Sequence, residues 1–408
     1  MCPVGTFCRL LTLISFLSVP TRPVGFADLV GFGDAGTFIA LNGPDPVAQL
    51  VTSQFGFDDG WTPDEHVRFV ADATGDGAAD LIGFGDDGVY IALNNGTDGF
   101  GNATIVVGDF SVEAGWTIEA NPRLVADLRS TGRVDILGFG DAGVYVSLNE
   151  GGLNFTDPTL VVADFGLNAG DWTTEQHLRL LADVNGDGFP DIVGFGYTSV
   201  IVSLSNGDGT FQDSFAVLQD FTIQSGNWTV DGNPRFLADL TGDGLADIIG
   251  FANDGVYVSL NNGNGTFATS TKVVDDFGID NGWTDENPRF IADLNDDGLG
   301  DIVGFGDAGV QTSLNNGDGT FQTPQLVLDN FGYDDSAGGW RVELHPRFMA
   351  DLNGDGMADI VGFGENSVWV AYSNGNGSFT EATALLNDFG VGQGWSEDRH
   401  VRYPADLN

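Results

Sequence analysis

Short apolar runs recur along this chain, four to a unit, with polar connectors between them. One unit shows the pattern. His66-Val-Arg-Phe-Val-Ala71 alternates, and Leu81-Ile-Gly-Phe84, Val89-Tyr-Ile-Ala-Leu93 and Thr104-Ile-Val-Val107 follow. Runs of this length and alternation predict β-strands. The stretches between them, Asp72 to Asp80, Gly85 to Gly88 and Asn94 to Gly99, are rich in Gly, Asp and Asn and predict turns. Asp109-Phe110 then leads through Gly115-Trp116 into the next unit. No segment reads as a long amphipathic helix.

The unit is written seven times. A Gly-Phe-Gly motif starts at Gly31, Gly83, Gly138, Gly194, Gly250, Gly304 and Gly362, with Ala252 replacing the last Gly in the fifth copy. The spacings are 52, 55, 56, 56, 54 and 58 residues. Such a period marks a repeat architecture, in which one unit cannot bury its own apolar face. Four strands per unit and seven units predict an all-β fold, a seven-bladed β-propeller of four-stranded antiparallel blades. The chain stops at a first strand, His400 to Asn408, and the first copy begins at Ala27-Asp28 with a second strand. The two termini therefore supply one blade, and the ring closes without exposed edges. The expected organisation is an N-terminal segment, 1–26, and one propeller, 27–408. Its blades are 27–65 with 400–408, 66–120, 121–176, 177–232, 233–286, 287–344 and 345–399.

The formal charge of −45 excludes nucleic acid and anionic membrane surfaces as partners, because both need basic stripes. Such self-repulsion calls for compensating cations. Much of the charge lies in five matching loops. Oxygen side chains stand at positions 1, 3, 5 and 9 in Asp72/Thr74/Asp76/Asp80, Asp183/Asn185/Asp187/Asp191, Asp239/Thr241/Asp243/Asp247, Asp293/Asn295/Asp297/Asp301 and Asp351/Asn353/Asp355/Asp359. Hard oxygens at odd positions around a tight loop suit Ca²⁺, here between strands rather than in an EF-hand. The same residues also form hydrogen-bonded turns without metal. Two blades depart. Asp127-Leu-Arg129-Ser-Thr131-Gly-Arg133-Val-Asp135 carries basic residues, with Arg129 placed as an internal cation. The split blade keeps Asp28, Asp406 and Asn408 but has Val24 at position 5. Neither is expected to hold an ion well.

The Asp-x-[Asn/Thr]-Gly-Asp-Gly-x-x-Asp loop beside Gly-Phe-Gly resembles the FG-GAP repeats of integrin-type propellers. Gly339-Trp340 with His345-Pro346-Arg347, Asp359-Ile-Val-Gly-Phe-Gly364 with Ser367-Val-Trp369, Asn261-Asn-Gly-Asn-Gly-Thr-Phe267 and Asp329-Asn-Phe-Gly-Tyr333 resemble, more narrowly, the fungal lectins of the Psathyrella velutina type. The likeness runs from about Pro20 to the C-terminus. It implies a seven-bladed, calcium-binding propeller that takes N-acetylglucosamine-terminated or sialylated glycans without catalysis. That family mostly has Arg after the repeat Trp, whereas only Arg341 keeps it here.

The repeat also nominates sugar-contacting residues. Connectors alternate between the two ends of a meander, so the Asp-Phe…Gly-Trp…His/Asn-x-Arg connector lies opposite the metal loops. The candidates are Trp61/His66/Arg68, Trp116/Asn121/Arg123, Trp172/His177/Arg179, Trp228/Asn233/Arg235, Trp283/Asn287/Arg289 and Trp340/Arg341/His345/Arg347, with Asp86, Asp141 and Asp307 from the facing turn. Aromatic faces suit sugar C–H groups, and Arg, amide and carboxylate groups suit hydroxyls. The alternative is structural: Trp as inter-blade core, Arg as a lock between blades.

The expected function is therefore a multivalent lectin with structural calcium, binding glycans or glycoproteins as a monomer. A calcium-stabilised adhesion or scaffold propeller is the alternative. Repeated carboxylates offer a glycosidase-like pair by chance, and no Ser-His-Asp order, zinc motif or phosphate loop stands out. The chain is thus not expected to be an enzyme. The run Leu10 to Val19 has signal-peptide length and is too short to span a membrane. Both readings stand for it, a signal or an outer strand on the closing blade, so the protein is secreted or is a fungal cytoplasmic protein. Cys2 and Cys8 both lie in the N-terminal segment 1–26, which leaves the propeller without a disulfide.

Overall fold

A computed structural model describes residues 26–96 and 99–407. The N-terminal run, Cys2, Cys8, Val24 and Asn408 lie outside the described residues. Among those described, twenty-eight strands pair into seven four-stranded antiparallel sheets. Within each complete unit the strands are sequential neighbours, as in Val67–Ala71, Asp80–Phe84, Val89–Ala92 and Thr104–Val107. The remaining sheet is built from both ends of the chain. Val401–Ala405 pairs with Asp28–Gly33, with Arg402 opposite Gly31 and Tyr403 opposite Val30.

Each blade buries both faces of its inner strands, while the outermost strand, such as Thr104–Val107, is exposed over its first two residues and buried at its last. The register explains the Gly-Phe-Gly motif. The repeat arginine stands opposite its first glycine: Arg68 with Gly83, Arg123 with Gly138, Arg179 with Gly194. A Cβ on Gly83 would lie 2.6 Å from the Trp61 ring and 2.7 Å from Phe55. Glycine is needed there because two connector rings lie flat on the strand. The middle Phe turns to the other face and packs into the seam with the next blade. Phe84 meets Phe110 edge-on at 6.5 Å, and the Arg123 guanidinium lies 5.7 Å from its centroid. One motif therefore supplies both sides of every seam.

Candidate glycan-binding face and repeat loops

The connector between blades is assembled around a strained phenylalanine. Phe55, Phe110, Phe165, Phe221, Phe277, Phe331 and Phe389 all adopt left-handed backbone, with φ from 57° to 65°. Such a conformation costs an L-residue with a bulky side chain about 1–3 kcal/mol, so its surroundings must hold it. The preceding acid does part of this. Asp109 Oδ1 accepts from the Phe110 N–H at 2.6 Å and from the Trp116 indole N–H at 3.0 Å, and Asp164, Asp276 and Asn330 repeat the arrangement. The repeat arginine does the rest. Arg68, Arg123, Arg179, Arg235, Arg289 and Arg347 donate Nη1–H to the carbonyls of these phenylalanines at 2.9–3.1 Å. Arg402 does the same to Phe389.

These arginines are at most 4% exposed, and each lies over a Phe ring of the previous blade at 5.2–5.7 Å. Trp61, Trp116, Trp172, Trp228, Trp283 and Trp340 are at most 8% exposed. These seam arginines and the six Trp therefore pack between blades, the structural role the sequence left open beside sugar contact, whereas Arg341 is partly exposed. A guanidinium buried behind an indole cannot present its fork to a solvent-borne hydroxyl. Planar delocalised charge suits Arg to this stacked, carbonyl-bonded position.

The His/Asn position is also largely buried, and its alternation has a simple cause. His66 Nδ1 accepts from the Thr62 N–H at 3.0 Å, and Asn121 Oδ1 accepts from the Thr117 N–H at 3.3 Å. In His66, Asn121 and Asn287 the other end of the side chain donates. His66 Nε2 meets Asp86 Oδ1 at 3.1 Å, Asn121 Nδ2 meets Asp141 at 3.5 Å, and Asn287 Nδ2 meets Asp307 at 3.0 Å. Imidazole and amide are interchangeable because each offers one acceptor and one donor at opposite ends. With Nδ1 committed to a backbone N–H, each histidine is neutral and carries its proton on Nε2. Burial holds the four histidines below their usual range, His177 at about 4.

What remains open to solvent on this face is the acidic turn. Asp86, Asp141 and Asp307 are exposed, each standing on its His or Asn. Tyr90 and Tyr145, half-buried on the adjoining strands, pack edge-on against Trp61 and Trp116. Arg341 is 27% exposed, lies 3.8 Å from the Tyr333 centroid, and donates to the Tyr333 and Trp340 carbonyls. The Asp-Phe framework was signalled in the sequence by its recurrence, but its role was not. The left-handed φ leaves no mark in composition.

The five candidate metal loops occupy the opposite end of the blades. Position 1 folds the loop: Asp72 Oδ1 accepts from the Thr74 and Gly75 N–H groups and Oδ2 from Gly77, and Asp183, Asp239, Asp293 and Asp351 do likewise. Position 5 also turns the chain, as Asp76, Asp187, Asp243, Asp297 and Asp355 accept from the N–H two residues on. At position 9, Asp80, Asp191, Asp247, Asp301 and Asp359 are buried and accept from one N–H in the loop and one in the Asn-Gly turn. Burial, reinforced by the carboxylates at positions 1 and 5, pushes Asp191, Asp301 and Asp359 up to about 7, and Asp80 and Asp247 to about 6.

Position 3 departs from the expectation of five equivalent ligand sets. Asn185 and Asn295 bridge through Nδ2 to Asp187 and Asp297, and their Oδ1 atoms accept from the N–H of those same aspartates. Asn353 is exposed and keeps only the second of these bonds, its Oδ1 accepting from the Asp355 N–H at 2.9 Å. The Thr74 hydroxyl turns back to Asp72 Oδ1 at 3.3 Å. The Thr241 hydroxyl oxygen is shielded from solvent and has no hydrogen-bond partner. The amide oxygens of Asn185, Asn295 and Asn353 are therefore spent on the turn, whereas the hydroxyl oxygen of Thr241 is left over. A Thr hydroxyl makes this turn bond more weakly than an Asn amide, and neither Thr74 nor Thr241 makes it here. Among the described residues, no three His, Cys, Asp or Glu side chains are arranged as a ready metal-ligand set.

The exceptional loop behaves differently. Arg129 Nη2 lies 2.9 Å from Asp135 Oδ1 and 2.7 Å from the Asn149 carbonyl, with Nε 3.4 Å from Asp135 Oδ2. An internal guanidinium there meets the buried position-9 carboxylate, which in the five matching loops is bonded by backbone N–H groups alone.

The FG-GAP-like repeat family matches residues 351–408. No curated protein matches the chain. Among solved structures, an Agrocybe aegerita lectin described as recognising non-reducing terminal N-acetylglucosamine is 49% identical, with a TM-score of 0.92 over 95% of this chain and 96% of that one. The Photorhabdus luminescens Tc holotoxin pore is 18% identical with a TM-score of 0.46, over 72% of this chain and 13% of that one. The V. cholerae biofilm matrix protein Bap1 is 17% identical with a TM-score of 0.31, over 83% of this chain and 60% of that one, and neither bears on function. The ring, the repeat and the extent of the first likeness agree with the motifs: the chain belongs to the family of seven-bladed FG-GAP-repeat lectins that includes this Agrocybe aegerita protein, the Psathyrella velutina type.

Proposed function

We propose that the protein is a multivalent lectin for glycans ending in non-reducing N-acetylglucosamine, with its sugar positions on the connector face. The observation that carries this reading is the 49% identity to the N-acetylglucosamine-recognising lectin across 95% of the chain. The exposed turn acids support a neutral sugar, since they accept hydroxyl protons and repel a carboxylate. For a sialylated glycan, Arg341 offers a favourable feature, fixed over Tyr333 with part of its fork in solvent. Several weak positions on one rigid ring give avidity for clustered glycans. Free N-acetylglucosamine should bind weakly and a surface bearing chitooligosaccharides strongly. A glycan array tests this directly: no retention on N-acetylglucosamine-terminated glycans would leave the adhesion or scaffold reading in its place.

We further propose Ca²⁺ in the five matching loops. Asp, Asn and Thr oxygens at positions 1, 3, 5 and 9 are the hard donors this ion takes. The buried position-9 carboxylates favour it, because the sister loop supplies them with a guanidinium instead. The unpartnered Thr241 hydroxyl favours it too, as an oxygen with a lone pair to give. In the Asn loops the ion would compete with the turn for the amide oxygen, Asn353 included. The ion would supply charge compensation and hold the loop to the neighbouring turn. The sugar positions lie at the other end of the blades, so calcium would act on binding only through the fold.

A further inference from the structure

The turn after Gly-Phe-Gly differs among the seven seams. Its leading residue is Asp34, Asp86, Asp141, Tyr197, Asn253, Asp307 or Glu365. This residue is exposed in six seams and half-buried at Asp34, above a Trp, Arg and His/Asn that are largely buried. Three seams combine an exposed aspartate with a neutral donor under one of its oxygens: His66 at 3.1 Å from Asp86, Asn121 at 3.5 Å from Asp141 and Asn287 at 3.0 Å from Asp307. Among the described residues, no arginine or lysine pairs with these three carboxylates. The donor below fixes the carboxylate and leaves its second oxygen for a ligand.

The other four seams lack this arrangement, each in its own way. Asp34 is held by Arg399 at 2.6 Å and His400 at 2.9 Å, and Arg399 covers it from the Phe57 ring, 4.3 Å away. Glu365 reaches further and stands 3.7 Å from His345, beyond hydrogen-bond distance. Tyr197 and Asn253 carry no carboxylate at all, and the Asn253 amide oxygen already accepts from Asn233 at 3.2 Å.

Resting on the lectin reading above, we infer that the seams are unequal: those at Asp86, Asp141 and Asp307 are the strong sugar positions. The ligand class is a neutral pyranose with adjacent free hydroxyls, whose O–H groups donate to the outer carboxylate oxygen. A carboxylate accepts such bonds about twice as strongly as an amide does. The other four seams bind the same sugar weakly or not at all.

Native mass spectrometry and calorimetry with methyl N-acetyl-β-glucosaminide test this. The wild-type ring should take three tighter equivalents. The triple variant Asp86→Asn, Asp141→Asn, Asp307→Asn should bind them about tenfold more weakly with an unchanged melting curve, because Asn still accepts from the residue below. Asn253→Asp should add a fourth equivalent, which keeps the test decisive if the triple variant folds poorly. Seven equal equivalents, or an undiminished titration in the triple variant, would overturn the inference while leaving the lectin reading intact. Failure of the wild-type protein to bind any N-acetylglucosamine glycan would overturn both.

Discussion

The Arg129 guanidinium lies 2.9 Å from the Asp135 carboxylate, in the loop whose third position is basic. Asp135 is fully buried, as are Asp191, Asp301 and Asp359 at the same position in loops without that arginine. A buried charge without a partner is expensive, by several kcal/mol. One loop meets this with an internal cation, and the proposed calcium would meet it in the others.

Chelation should therefore lower the melting temperature. An ion that binds the native state and not the unfolded one stabilises by mass action, about 2.7 kcal/mol per site at a hundredfold excess over its Kd. Calorimetry in chelator, then with Ca²⁺ or Mg²⁺ added back, should show recovery with calcium far better than with magnesium. A melting curve indifferent to chelator, with no calcium by elemental analysis, would refute the metal proposal.

Arg129→Asn should convert the exceptional loop into one resembling its sisters. At low calcium the variant should lose about 3 kcal/mol, the cost of breaking a buried pair from one side. Part of that loss should return as calcium is raised, measured as a difference in melting temperature against wild type. A loss untouched by calcium would mean that Arg129 is an ordinary structural pair.

Arg123→Lys should damage one seam. Lysine keeps the charge but loses the flat stacking on Phe84 and the fork that reaches the Phe110 carbonyl. About 2–4 kcal/mol should be lost, since the site is fully desolvated and the left-handed Phe110 loses its anchor. Chemical denaturation measures this, and sugar titration at distant seams should be unchanged.

Gly138→Ala should be about as harmful as a cavity mutation despite adding one methyl. The new Cβ would lie 2.7 Å from both the Phe110 and Trp116 rings. Overpacking of this kind costs about 1–3 kcal/mol. Its near-UV circular dichroism should change with it, because Trp116 must move.

His177 gives a pH dependence with a defined sign. Burial, then the charges of Arg179 and Arg235, holds it at about 4, below the 6.5 of an unfolded chain. The unfolded state takes up the proton first. Stability is thus fully present above about pH 6.5 and falls as the pH drops from there towards 4. His177→Asn, the residue three other seams use, should keep the Thr173 N–H satisfied and flatten this fall by up to about 3 kcal/mol. Denaturation midpoints of both proteins at pH 7 and pH 4.5 check it.

The strands, their number, the seven units and the closing of the ring by Val401–Ala405 against Asp28–Gly33 were legible because alternation and turn chemistry are local properties. So was the odd loop at Arg129, whose basic residue breaks an acidic spacing. The division of labour within the connector was not legible. Trp116, Asn121, Arg123 and Asp141 recur in register, and sequence alone cannot say which of them reaches water. Nor could spacing separate Thr241, whose oxygen is unspent, from Asn353, whose oxygen closes its own turn. Tertiary packing decided the connector: the arginine runs inward to the carbonyl of left-handed Phe110, the indole covers Gly138, and Asp141 alone of the four is left exposed. Periodicity records that a position is constrained. Whether a neighbouring blade or a ligand imposes that constraint depends on solvent access, which exists only once the blades are packed.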